Sequence, residues 1–510
     1  MASAPITPCK RRFPPGCSSD DAAFCFSFVQ RVCELYPQRI TTTHDELGAQ
    51  EEVLAAFKRC VGSRNIRVEW QRFMFNRSLY QNVALHFGTA VLGSYYALWC
   101  ADAVLSTALY VLSAASYFCD STRKAYILRK LFKWSPSQNL LVTLPATRGS
   151  SSKSKSDGNR NRNGRINGKG VVSAKQTSTD VIQRVVFMAH ADATFTGWMF
   201  EPTAIGAFTK LCGRRNGQGT APGAALGPTQ KPLLMGLIAV VMLALTTLLS
   251  LAAGDHALVP LPELLMKLQY INTSASVLSS AAQSNVTMST LATSWATVLI
   301  CAFSIPPLIV FALYFQVAAR NEVVPGAMDD LSGIASLVLL AQRFAQKNSR
   351  PENVEIVFAV TGAEQASLGG SDALAREMLA TGRWDPRDTV IFGMDSPSNG
   401  ILRWYREGEL IDLGIPPELD AACRHTAASH PRFSEAQPFT MPAGGTDVAA
   451  FRYHGFSGVC LGCIDEESGV PLHYHHASDT PEHVEPDKIV FCVDFAEALV
   501  RHVLNVQHTA

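Results

Sequence analysis

The chain has 510 residues, and its 44 Lys and Arg against 43 Asp and Glu leave a net charge of +1. A balance this even gives no electrostatic case for a nucleic-acid partner. The thirteen cysteines are an odd number without a regular framework, which fits reduced thiols in a cytosol-facing body better than a secreted disulfide scaffold.

Residues 1–19 lack the apolar stretch of a signal peptide and read as a flexible terminus. From about 20 to 62 the apolar spacing, as at Phe26, Phe28, Val29, Val32 and Leu35, predicts helix, with a second helix over Glu46 to Val61. Val68 to Phe73 alternates like a strand. Val83 to Phe118 is nearly uncharged, with Asp102 as its only acid. It is too long for one ordinary span and reads as two short spans turning near Cys100 to Asp102, or else as one long tilted span. The basic residues Arg123, Lys124, Arg129, Lys130 and Lys133 follow.

Gln138 to Leu144 resembles a strand. Residues 146–178 are rich in Ser, Lys, Asn, Arg and Gly, with nothing to bury, and read as a disordered loop. Val181 to Ala189 is an apolar strand that delivers His190. Two transmembrane candidates come next, Leu233 to Ala253 and Ala296 to Phe315. Pro306 and Pro307 should kink the second or end it. From Asn321 onward helices and strands alternate: helix Asp330 to Gln346, strand Val354 to Val360, helix Ser371 to Ala380, strand Thr389 to Met394, strand Val459 to Leu461 and helix Ile489 to Val506. This alternation implies α/β architecture with a mostly parallel sheet covered on both faces. The pair Cys460 and Cys463 reads as two buried thiols on a strand, not as a zinc or redox site.

The segments read as facing the soluble body are basic, including Lys210, Arg214, Arg215 and Lys231. The segment Gly254 to Ser294 has Lys267 as its only Lys or Arg and carries glycosylation sequons at Asn272 and Asn285. The positive-inside rule then puts residues 254–294 in the lumen or outside and the catalytic body in the cytosol. A third sequon, at Asn76, points weakly the other way.

Short motifs between 190 and 480 supply imidazole and carboxylate groups at strand ends and loops, the ligand types zinc takes. They are His190-Ala-Asp192, Ala-Met-Asp329-Asp330-Leu-Ser-Gly, Gly-Ala-Glu364-Gln365, Met394-Asp395, and Tyr474-His475-His-Ala-Ser-Asp479-Thr480. With Gly444-Gly445-Thr446-Asp447 and Phe451, their order resembles metallopeptidase family 28, which includes zinc aminopeptidases, glutamate carboxypeptidase and glutaminyl cyclase. The resemblance covers roughly residues 20–82, 137–193 and 321–505. It implies a three-layer zinc-peptidase fold with a mixed, mostly parallel sheet, here carrying about four inserted transmembrane helices. The catalytic domain would be assembled from 20–82, 137–193 and 321–510. A membrane hairpin with its basic flank (83–136) and a two-helix membrane insertion (194–320) would interrupt it.

The resemblance further implies one or two zinc ions. One would be held by His190, Asp329 and Asp395, the other by Asp329, position 365 and His475. Asp192 would orient His190, and Glu364 would be the general base for water attacking an amide. Asp330 is expected to cap the following helix or brace the site, and His473 and His476 are not expected to be ligands. Gln365 departs from the pattern, since a metal-binding Glu is expected there and an amide carries no charge. This leaves three readings: a zinc aminopeptidase or related amide hydrolase, a glutaminyl-cyclase-like acyltransferase with one zinc, and an inactive membrane scaffold. Both ends of the 194–320 insertion abut expected ligands. The substrate expected is a peptide or acyl-amino acid, presented at the lipid bilayer unless the spans serve only as an anchor.

Overall fold

Three neighbouring strands with β-branched and aromatic runs form the centre of the protein: Arg184–His190, Glu355–Thr361 and Thr389–Met394. Such runs fit strands covered on both faces. In the computed structural model the described residues are 19–146, 183–211, 232–346 and 351–509, except 78, 255–256, 274–279, 409 and 442–443. The terminus expected to be flexible lies outside them up to residue 18, as does the 146–178 loop from residue 147 on.

In chain order the elements are α1 (Ser19–Leu35), α2 (His44–Val61), β1 (Arg67–Phe75), α3 (Leu79–Cys100), α4 (Ala103–Ser121), β2 (Ser135–Leu144), β3 (Arg184–His190), α5 (Pro202–Leu211), α6 (Pro232–Ala253), α7 (Leu261–Thr273) and α8 (Ser280–Thr293). There follow α9 (Trp295–Arg320), α10 (Gly333–Ala345), β4 (Glu355–Thr361), α11 (Gly369–Ala380), β5 (Thr389–Met394), β6 (Ile401–Arg406), α12 (Pro417–Ser429), β7 (Gln437–Thr440), α13 (Asp447–Tyr453), β8 (Ser457–Ile464) and α14 (Pro486–Thr509).

The eight strands form one sheet in the order β1-β2-β4-β3-β5-β8-β6-β7. The run β4-β3-β5-β8 is parallel, while β1, β2 and the β6–β8 pairing are antiparallel. The sheet is therefore mixed and mostly parallel at its centre, as expected. Side chains alternate across it. Val185 and Phe187 of β3 join the core under α1, α2, α10 and α14, whereas Val186 and Met188 join the core under α11 and α13. Phe187 stacks on Phe358 of β4 with centroids 5.6 Å apart. Truncating either ring to Ala would cost about 3–5 kcal/mol.

The membrane-type helices α3, α4, α6 and α9 pack together through Phe87, Tyr110, Leu237, Leu243 and Ile300. Small residues allow the approach, since a Cβ on Gly236 would meet the Phe87 ring at 2.7 Å. Buried hydroxyls bridge the helices, with Tyr110 Oη donating to Ser94 Oγ at 3.0 Å and Thr107 Oγ1 to Thr247 Oγ1 at 2.7 Å. Four spans were expected; among the described residues three helices (α4, α6 and α9) are long and apolar enough to cross a membrane. Their outer faces show exposed apolar side chains such as Val104, Leu249 and Ile305. α3 is also 22 residues long but carries Gln81, Asn82 and His86. It begins at Leu79, inside the part assigned to the soluble body.

The turn between α3 and α4 falls at Ala101 and Asp102, and the one acid of the run is there for a reason. Asp102 caps α4, its Oδ1 accepting the Leu105 N–H at 2.9 Å. α9 runs through Pro306 and Pro307 without ending there. The segment read as the 254–294 loop carries a helical pair, α7 and α8. Asn272 and Asn285 are exposed, while Asn76 is buried and bonded to Arg129; the contrary sequon is thus closed to a glycan. Arg123 and Arg129, counted as basic flank, are buried as well, leaving Lys124, Lys130 and Lys133 exposed.

Candidate metal centre

Strand register brings the site together. β3 and β4 pair so that His190 lies opposite Thr361, and Met188 of β3 lies opposite Gly393 of β5. His190, the Glu364–Gln365 turn and Asp395 therefore emerge side by side at the carboxyl ends of three parallel strands, where open α/β sheets place ligand sites. The ligand atoms of His190, Glu364 and Asp395 lie within 4.8 Å of one another. Asp329 stands between two imidazoles, with His190 Nε2 3.0 Å from its Oδ1 and His475 Nε2 3.1 Å from its Oδ2.

The surrounding residues hold these groups in place. Asp192 is fully buried: its carboxylate accepts the N–H of Glu364 and of Gln365, both at 3.0 Å, and the Thr41 hydroxyl at 2.7 Å, while its carbonyl faces His190 Nδ1 at 3.0 Å. Asp330 does both things expected of it. It caps α10 through the Gly333 N–H (3.0 Å) and ties β3 to β5 through the N–H groups of His190 (3.2 Å) and Ser396 (3.0 Å). Asp479 accepts the Met328 and Asp329 N–H groups at 2.6 and 3.2 Å, beside a cis Asp329–Asp330 peptide. Ala363, Ser396 and His475 all adopt left-handed backbone angles. Hydrogen bonds from the first two to Glu46 and Asp330 help to hold conformations that non-glycine residues otherwise avoid.

Burial sets the electrostatics. It pushes the Glu364 carboxyl well above its ordinary range; His190 counteracts this, while Asp447, Asp395 and Asp192 add to it. Burial, with Asp329 adding, pushes Asp395 up to about 7. At Asp329 the hydrogen bonds and charges of His190 and His475 outweigh burial and hold it below the usual range. At His190 burial disfavours the charged ring, but Glu364, Asp329 and Asp330 outweigh it and raise the pKa.

This donor set fits a divalent cation. Two imidazole Nε2 atoms and several buried carboxylates converge. The Nδ1 of each imidazole faces a protein oxygen, Asp192 O for His190 and Tyr80 Oη for His475, which leaves Nε2 for a ligand role. Donor atoms about 3 Å apart suit neighbours around one zinc with bonds of about 2.0–2.2 Å. Buried carboxylates in such number call for a cation. The expected partner of His190 and Asp395 was Asp329; the group whose ligand atoms lie within 4.8 Å holds Glu364, expected as the base, in its place, while Asp329 is engaged by both imidazoles. Gln365 also reaches Asp329, its Nε2 3.4 and 3.2 Å from Oδ1 and Oδ2. His473 and His476 turn to the Ser478 hydroxyl.

Sequence reasoning passed over Tyr80, which reaches the site from the first turn of α3; nothing in an apolar run marks it. Thr41, Glu46 and Arg39 were passed over as well. Buried Arg39 donates to the carbonyls of Tyr36, Ala191, Pro325 and Gly326, pinning α1, β3 and the Asp329 loop together.

Residues 313–500 match the description Peptidase family M28. The match covers 188 of the 510 residues. The matching segment contains Asp329, Glu364, Gln365, Asp395 and His475, while His190 and Asp192 come from the chain before it. No curated protein matches the sequence. Solved structures with similarity include a zinc aminopeptidase from Bacillus subtilis (12% identity, 96% of this chain and 96% of that one, TM-score 0.45). An aminopeptidase from Aneurinibacillus sp. strain AM-1 (12%, 94% and 93%, 0.44) and a glutaminyl cyclase from Porphyromonas gingivalis (11%, 95% and 98%, 0.44) are also similar.

Proposed function

We propose that this M28 chain is a membrane-anchored, zinc-dependent amide hydrolase of the aminopeptidase type. The observation that carries this reading is the convergence of His190, Glu364 and Asp395 within 4.8 Å, beside an Asp329 flanked by two imidazoles. His190, Asp395 and Asp329 would hold one metal, and Asp329, His475 and Gln365 would hold a second more weakly. A bound metal would supply Lewis acidity, easing deprotonation of water and stabilising a developing oxyanion. Glu364, whose carboxylate burial makes more basic, would accept a proton from the attacking water and return it to the leaving amine. Asp192 would fix the His190 ring and hold the Glu364–Gln365 turn.

The neutral amide of Gln365 favours one tightly held metal over two equal ones, and it keeps a one-zinc, cyclase-like acyl transfer as the second reading. The membrane helices would make the chain multi-pass. The catalytic body would lie on the side of exposed Lys124, Lys130 and Lys133, in the cytosol, with residues 254–294 opposite. The substrate would be a peptide or acyl-amino acid at the bilayer surface. Tyr314 of the α9 span touches the Tyr80 ring, and Tyr80 touches His475, so the site would open close to the membrane.

The test uses full-length protein in detergent with peptides bearing a free amino terminus. Expected is release of the terminal residue, abolished by a chelator, restored by zinc and lost in Glu364→Gln. Ammonia release from a peptide beginning with Gln, without cleavage, would favour the acyltransferase. No bound metal and no turnover would leave a binding scaffold and refute the hydrolase.

A further inference from the structure

The two imidazoles at Asp329 are oriented differently. His190 is held by its own strand end, where Nδ1 faces the Asp192 carbonyl at 3.0 Å. His475 sits on a loop, and its Nδ1 faces the hydroxyl of Tyr80 at 3.4 Å. Tyr80 belongs not to the sheet or its covering helices but to the first turn of α3, the opening helix of the membrane hairpin.

We propose that Tyr80 is a positioning residue for His475, so that the membrane hairpin sets the metal position on that side of Asp329. The inference rests on the reading of His475 as a metal ligand. Ligation through Nε2 requires the ring proton on Nδ1. Nδ1–H then donates to Tyr80 Oη, and the Tyr80 O–H is left to donate to Thr194 Oγ1, 3.0 Å away. The chain of donors ends on a residue two positions after Asp192, so both ends of it are tied to the site.

Tyr80 is itself immobilised. It is 3% exposed, with its ring edge-on to Phe195 and Phe200 and tilted against Tyr314 of α9. Tyr474 and Phe200 pack on the His475 ring at 3.9 and 4.8 Å. These rings limit how His475 can turn, but they cannot choose its tautomer. Among the described residues, the Tyr80 hydroxyl is the polar group that meets Nδ1.

A second contact ties the same hairpin to the other side of this position. Arg129, just after α4, donates to the Ala366 carbonyl at 2.9 Å, one residue beyond Gln365. It is held by Asp120, in the last turn of α4, through two bonds of 2.9 Å. The hairpin therefore contacts His475 at the start of α3 and the Gln365 turn beyond the end of α4.

The test is a titration of zinc alone, in competition with a fluorescent chelator, on metal-stripped full-length protein in detergent. Wild type, Tyr80→Phe and His475→Ala are compared, with thermal unfolding of each metal-free protein. The expected result is that Tyr80→Phe weakens by about 10–100-fold the binding event that His475→Ala removes, leaving the other event and the metal-free unfolding temperature unchanged. A Tyr80→Phe isotherm equal to wild type, where His475→Ala differs, overturns the inference alone. If His475→Ala binds zinc as wild type does, the ligand reading of His475 falls and this inference with it. Uniform weakening of both events with a lower unfolding temperature would assign Tyr80 a merely structural role and overturn the inference as well. Should Tyr80→Phe not fold, Thr194→Val loosens the same hydroxyl: selective weakening supports the inference, and an unchanged isotherm overturns it.

Discussion

Gln365→Glu should reverse its effect on stability between metal-free and metal-loaded protein. The Gln365 amide nitrogen lies 3.2 and 3.4 Å from the two Asp329 oxygens and donates to them. A carboxylate in its place loses that donation and adds a like charge. Two unit charges 3.2 Å apart repel by about 5 kcal/mol at an effective dielectric of about 20. The new carboxyl can instead take up a proton, which at pH 7 limits the penalty to roughly 3.7 kcal/mol, or 2.7 pKa units at 1.36 kcal/mol each. Metal-free Gln365→Glu is therefore expected to be less stable than wild type by about 1–4 kcal/mol. With zinc in excess the same carboxylate becomes an anionic ligand, and affinity at the His475 position should rise tenfold or more, about 1.4 kcal/mol per decade. The assay is thermal unfolding of both proteins in detergent across a zinc series, with metal counted by elemental analysis. If the variant were as stable as wild type without metal and bound zinc no better, Gln365 would not lie at a metal position, and the charge argument would be wrong.

Glu364→Gln should lower turnover by about 10²–10⁴-fold if Glu364 carries the proton, with bound metal remaining as in wild type; retained turnover would exclude it as the base. Arg129→Met should destabilise the protein by about 3–5 kcal/mol, because it strands the buried Asp120 carboxylate and frees the Ala366 carbonyl; unfolding that matches wild type would show that the pair carries no net stability. Glu407 is buried against Thr446, and burial, offset by the Thr446 hydrogen bonds, pushes its carboxyl up to about 7. Its folded pKa lies above the unfolded one, so its contribution is full below about 4.5 and is lost as pH rises through 7, on the order of 3 kcal/mol at most. Glu407→Gln should accordingly gain stability relative to wild type as pH is raised from 5 to 8, and parallel unfolding profiles would exclude the shift.

Local pattern carried much of this architecture. Continuous apolar runs marked β3, β4 and β5, whose register then brings His190, Glu364 and Asp395 to one edge. Asp102, the one acid in a long apolar run, marked the α3–α4 turn because a helix start there needs a cap. β6, β7 and α12 went unread: β7 has only four residues, and β6 and α12 are broken from their neighbours by Gly408, Gly414 and Pro416 without a clear apolar run. The pair α7 and α8 hid inside a polar segment that read as a loop. Arg129 misled for a different reason. In sequence it is one of several basic residues after a span, and only tertiary packing pairs it with Asp120 and takes it away from the membrane surface.

That misreading bears on what the α3–α4 hairpin is for. An anchor needs only apolar length and exposed flanking charge, and both are present in α4 and in Lys124, Lys130 and Lys133. It does not need a fully buried Arg, which is expensive to place away from water unless each donor finds a partner. Arg129 finds them in Asp120, in Asn76 and in the Ala366 carbonyl of the soluble body. Tyr80 likewise uses its hydroxyl on Thr194 and His475 and not on the hairpin itself. These buried groups go unsatisfied if the hairpin is removed, and the loops carrying Gln365 and His475 lose their support. The α3–α4 hairpin and the segment 313–500 are therefore tied by buried contacts, and a body cut free of α3 and α4 should lose the His475 side of the site before it loses the sheet.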